Sequence, residues 1–103
     1  MIVAFCVAPT QTPTADAEMS AAVARAVKIV RESGLPHETN AMFTNIEGEW
    51  DEVMDVIRRA TEAVMEVSPR VSLVLKADIR PGYSGQITQK VESLEARLRE
   101  NEK

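Results

Sequence analysis

The sequence predicts an α+β sandwich of a single domain, residues 1–103, with elements ordered β-α-β-β-α-β and one further helix at the end. Three observations carry this. "MIVAFCVA" (1–8) is an unbroken apolar run rich in branched residues and cut off by Pro9. "RVSLVLKADI" (70–79) alternates with period two. Between them, two segments repeat apolar residues at i, i+3, i+4 and i+7, the spacing of a one-sided helix.

The first run reads as a strand buried on both faces, hence a central one. A polar loop, "PTQTPT" (9–14), follows. Thr14 or Asp16 is then placed to cap a helix running to about Ser33, with Met19, Ala22, Val23, Ala26, Val27 and Val30 as its apolar stripe and Gly34 as its stop. "PHETNAMFTNIEGEW" (36–50) leaves room only for a tight hairpin, with strands near 37–41 and 44–49. It lacks an Asn-Gly or Asp-Gly turn, so its register stays open. Asp51 is expected to cap the second helix, whose stripe is Val53, Val56, Ile57, Ala60, Val64 and Val67 and which Pro69 ends. In the last strand Val71, Leu73, Leu75, Ala77 and Ile79 share one face, and Ser72, Lys76 and Asp78 the other. After "PGYSG" a final helix from about Gln86 carries Ile87, Val91, Leu94 and Leu98.

Two βαβ-type halves joined by a hairpin pack most simply as a ferredoxin-like sandwich. Right-handed crossovers then put both main helices on one face of a four-stranded antiparallel sheet. The opposite face is left without cover from these units. It is either polar or covered by another subunit. Parity puts Asn45 and Glu47 on one face of the third strand, with Thr44 and Ile46 on the other. Lys76 and Asp78 share a face of the last strand. In this topology both strands flank the first, whose Ala4, Cys6 and Ala8 are small. Small residues beneath converging polar ones leave room for a ligand. The same pattern also fits a solvated sheet face whose charges keep edges from pairing.

The composition excludes several classes of function. A net charge of -4 does not suit a nucleic-acid surface, which needs a basic face. Cys6, the single cysteine, has no partner for an internal disulfide, so a reducing, cytoplasmic setting is expected. "MIVAFCVAP" lacks a basic leader and is too short to span a bilayer, so no membrane role is expected. His37, the single histidine, lacks the partners a metal needs, and Cys6 lacks a catalytic histidine. No Walker loop, GxGxxG or Ser-His-Asp set is present, so neither catalysis nor a cofactor is expected. The two glycines of "RPGYSG" before a helix are a weak anion-binding signal.

Against this background "TNIEGEWDEVMDVI", with the preceding "TNAM", resembles the signature of the small thiamine-binding protein family. The first strand running into "VAPTQT" is similar to that family's strand and loop. "LVLKADIR" with the later "KVESL" resembles its last strand and C-terminal helix. The likeness covers nearly the whole chain, and its most specific part is Thr44, Asn45, Ile46, Glu47 and Gly48. It implies a ferredoxin-like fold, assembly into dimers and tetramers through the sheets, and binding of thiamine or its hydroxymethylpyrimidine fragment. Glu47 and Thr44 match the motif directly, while Asn40 and Asp78 occupy matching polar positions. Where members commonly carry Gly or Ser after the first strand, this chain has "PTQT", which leaves Thr10 and Thr12 as ligand neighbours.

The chemistry agrees with the resemblance. An aminopyrimidine offers an amine donor and ring-nitrogen acceptors, and thiamine adds a cationic thiazolium. Glu47 is suited to the amine, in a charge-assisted bond. Asn40 or Thr44 suits a ring nitrogen. Trp50 either stacks on a flat heterocycle or cation, or anchors the second helix in the core or a subunit interface. A pocket led by Glu47 is expected to bind unphosphorylated thiamine at least as tightly as its diphosphate. The expected protein is a non-enzymatic carrier, buffer or sensor acting as a homotetramer. The rival readings are an interaction module without a metabolite and an enzyme acting on a small heterocycle.

Overall fold

The computed structural model describes residues 1–10 and 16–101, with the side chains of 16–19 outside the description. Seven elements follow the predicted order: β1 (Ile2–Pro9), α1 (Asp16–Glu32), β2 (His37–Thr39), β3 (Thr44–Glu47), α2 (Trp50–Met65), β4 (Val71–Asp78) and α3 (Gln86–Asn101). The strands form one antiparallel sheet in the order β2-β3-β1-β4, as a ferredoxin-like sandwich requires. The expected caps Thr14 and Asp16 and the core residue Met19 lie outside the described residues or side chains.

β1 is central, as its apolar run implies, but only one of its faces is fully buried. Val3, Phe5 and Val7 pack with Ala22, Ala26 and Val30 of α1, Ile46 of β3, and Val53, Val56, Ile57, Ala60 and Val64 of α2. Ile2, Ala4, Cys6 and Ala8 alternate onto the other face and stay partly exposed. An apolar run therefore overstated the burial, because this second face has only partial cover.

Three boundaries differ from expectation. The hairpin turns earlier, since the Asn40 Oδ1 accepts the N–H groups of Met42 and Phe43, each at 2.9 Å, and closes a tight loop without glycine. β3 ends at Glu47. α2 is capped by Glu49, not Asp51: Glu49 accepts from the backbone of Glu52 while the Glu52 Oε1 accepts the Glu49 N–H at 3.1 Å. A reciprocal capping box satisfies two helix-end donors and outcompetes a lone aspartate two residues further in.

β4 is an edge strand. Val71, Leu73, Leu75 and Ala77 pair with Pro9, Val7, Phe5 and Val3 and so share the helix-covered face. α2 covers this strand only in part: Val71 and Ala77 pack against the core, and Leu73 and Leu75 remain exposed. α3 has no buried residue at all. The radius of gyration of 15.8 Å exceeds the roughly 13 Å of a compact domain of 100 residues. α3 therefore lacks a full packing partner within its own chain.

Candidate functional site

Register places the polar groups. Residues directly opposite in an antiparallel pair point to the same face. Glu38 pairs with Asn45, Asn45 with Ala4, and Ala4 with Lys76, so these four form one row across the sheet, on the face away from α1 and α2. Glu47, Ile2 and Asp78 form the next row on that face. The N-terminal half of α3 lies over both. Between sheet and helix is a cavity of about 290 Å³. Its floor is Ile2, Ala4, Glu38, Asn45, Lys76 and Asp78. Gln86, Ile87, Lys90 and Val91 form its roof. The expected gap over small β1 residues is thus present at Ala4, and α3 closes it.

Glu47 is the keystone of the roof. It is only 4% exposed, and its two carboxylate oxygens accept the backbone N–H groups of Gln86 (2.8 Å) and Ile87 (3.2 Å). The residue before α3 is Gly85, held at φ +66°, which has no side chain with which to cap the helix. Glu47 supplies that cap from 39 residues away. A carboxylate also complements the positive end of the helix. The anion suggested by the "RPGYSG" turn is therefore the protein's own Glu47.

Asp78 is likewise engaged within the chain, by the Lys90 ammonium of α3. That hydrogen bond and charge, with smaller contributions from Arg80 and Lys76, hold the Asp78 carboxyl below its usual 3.8. A carboxylate depressed in the folded state stabilises it above the unfolded value, and that contribution is lost as pH falls through the lower folded value. The β4–α3 tether is therefore expected to hold at neutral pH and to fail in acid below about pH 4. Amide exchange along α3, measured down a pH series and corrected for intrinsic rates, should rise there. An unchanged exchange pattern would show that Asp78 does not hold the helix.

The other expected ligand residues do not converge on this cavity. Thr44 is on the helix-covered face, 7% exposed, with its hydroxyl 3.3 Å from that of Thr39. Asn40 spends its side-chain oxygen on the hairpin turn and borders a separate cleft with Phe5 and Val23. The Thr10 hydroxyl donates to the Arg70 carbonyl at 3.0 Å. It lies past the opposite end of β1 from Ile2, the partner of Glu47, about 25 Å along the strand. Thr12 lies outside the described residues. Trp50 is 56% exposed at the start of α2, so it anchors no core. It borders a shallow hollow of about 140 Å³ with Ile79 and Tyr83, whose ring carries the Arg80 guanidinium 3.5 Å above its centre.

Glu38 and the α3 roof are what the sequence reading missed, whereas it placed Asn45 and Lys76 on the cavity's face without naming them as ligand residues. Glu38 was reachable only by carrying parity across a hairpin of unknown register. The roof carried a signal in Ile87 and Val91, which begin the stripe that α3 turns toward the sheet. Among the described residues no cluster of three or more His, Cys, Asp or Glu gathers as a metal site, and no helix is long and apolar enough to cross a membrane.

Comparison with known proteins is consistent along most of the chain. The UPF0045 protein Mb1933 of Mycobacterium bovis is 48% identical over 99 residues, which is 95% of this chain and 94% of that protein. The crystal structure of hypothetical protein MJ1052 from Methanocaldococcus jannaschii superposes with a TM-score of 0.79 at 28% identity, covering 90% of this chain and 93% of that one. The domain of unknown function DUF77 from Bacillus cereus gives 0.77 at 34% identity, covering 87% and 85%. Residues 3–95, from β1 through most of α3, match the family described as thiamine-binding protein, and the chain belongs to that family.

Proposed function

We propose that the protein binds thiamine or its hydroxymethylpyrimidine moiety without chemical change, in the cavity between the sheet and α3, as a cytoplasmic carrier, buffer or sensor that works as an oligomer. The observation that carries this reading is the state of the polar groups around the cavity. Glu47, Asp78 and Lys90 are already satisfied by one another's elements. The side chains of Glu38 and Asn45 make no hydrogen bond to any described residue. They face the gap over Ala4 together, with an apolar wall of Ile2, Ile87 and Val91. A carboxylate and an amide side by side match an aminopyrimidine edge: the carboxylate takes the amine, and the amide donates to one ring nitrogen. A volume near 290 Å³ is at the small end of ligand pockets, which run from about 300 Å³ upward. Membership of a family described by thiamine binding supports the same ligand class. Glu47 contributes by fixing the roof, and Asp78 by tethering it.

A thermal-shift series with thiamine and with hydroxymethylpyrimidine tests the reading. At a hundredfold excess over Kd, a ligand specific for the folded state adds about 2.7 kcal/mol. For a chain of this size that raises Tm by roughly 10–20 °C. Asn45→Leu keeps the forked heavy-atom shape of the side chain and removes both hydrogen-bonding groups. It is expected to leave the unliganded Tm near wild type while weakening binding about tenfold or more. No shift with either compound removes the proposal.

A further inference from the structure

The row beneath the cavity is bipolar. Glu38 stands at its β2 end, Asn45 and Ala4 in the middle, and Lys76 at its β4 end. Three interstrand steps separate the two charged positions, about 14 Å between their Cα atoms. The Lys76 ammonium has no carboxylate within ion-pair distance among the described residues. The nearest candidate, Asp78, is held by Lys90 and responds to Lys76 only weakly through space. At the β4 end of the cavity two ammonium groups therefore face one carboxylate, and the uncompensated charge is positive. At the β2 end the uncompensated charge is the carboxylate of Glu38.

Lys76 is exposed and its ammonium is hydrated rather than paired; a neutral aminopyrimidine gains nothing from it, and a thiazolium placed there is repelled. An anionic substituent on the same ring is attracted, at a distance from the amine set by the width of the strands between. We propose that Lys76 forms an anion subsite, so that the preferred ligand is an aminopyrimidine bearing a phosphate ester, with its amine toward Glu38 and Asn45 and its phosphate toward Lys76. This rests on the pyrimidine reading above and deepens it. It also reverses the preference expected from a pocket led by Glu47, because that carboxylate is spent on the backbone of α3.

Calorimetry with hydroxymethylpyrimidine and its monophosphate, on the full chain at fixed low salt, tests it. The phosphate ester is expected to bind at least tenfold tighter, the effect of one charge-assisted contact. Lys76→Gln should shrink the ratio of the two affinities to within about twofold, and Lys76→Arg should keep it above fivefold, with circular dichroism confirming that both variants are folded. Equal affinities in the wild type, or a preference that survives in Lys76→Gln, overturn the anion subsite while leaving pyrimidine binding intact. Failure of both compounds to bind overturns the underlying function and the subsite with it.

Discussion

Replacing Glu47 with alanine is expected to release α3 from the sheet while the core of β1, β3, α1 and α2 stays folded. The carboxylate is buried and accepts two backbone N–H groups at the start of α3. Hydrogen bonds to a charged group contribute about 1.5–3 kcal/mol each, and removing the acceptor also leaves two partly buried donors unpaired. For the two bonds the loss is therefore about 3–6 kcal/mol, concentrated on one element. α3 has no buried residue with which to offset it, and an isolated helix of 16 residues is marginal in water. Amide exchange should show protection lost from Gln86 onward, with Val3, Phe5 and Ile46 still protected. Ligand affinity should fall by more than tenfold, because the roof of the cavity is gone. Glu49→Gln is the contrasting case. Its cap belongs to α2, which the core also holds, so a few tenths to 1 kcal/mol of stability and little affinity should be lost. Wild-type protection of α3 in Glu47→Ala would remove Glu47 from its structural role.

The second large effect concerns mass. Val91, Leu94 and Leu98 form an exposed stripe on α3 at helical spacing; on the edge strand β4, Val74 is exposed on the α3 side of the sheet and Leu73 and Leu75 on the other, and Ile79 is exposed just beyond the strand. So many large apolar side chains exposed on a small domain, one set at helical spacing along α3, mark an interface. Self-association, with a homotetramer as the expected state, is motivated by this surface and by the extended shape of the monomer. Light scattering should give a multiple of 11.4 kDa at micromolar concentration. The double substitution Leu94→Glu and Leu98→Glu puts two like charges into each copy of that stripe and should return the mass to the monomer value. Both positions lie beyond the part of α3 that roofs the cavity, so the fold should survive. A monomeric wild type would leave the stripe without a self-partner.

The fold was legible in the sequence because it follows from short-range chemistry. The apolar run of β1, the stripes of α1 and α2 and the alternation of β4 each declare an element and its buried side. Order and crossover handedness then leave one simple packing. Parity along a single strand also placed Asn45 with Glu47, and Lys76 with Asp78, on the uncovered face. What the sequence could not state is which polar groups are already spent. That Glu47 caps a helix 39 residues later, that Lys90 holds Asp78, and that Asn40 closes its own turn are contacts between groups brought together only by the folded chain. The same holds for Glu38 and Lys76, which share a row only because two hydrogen-bonded strands lie between them. A carboxylate looks alike in sequence whether it faces a ligand or a backbone N–H. Tertiary structure decides between the two, because a hydrogen bond made inside the protein is one no longer offered to a ligand.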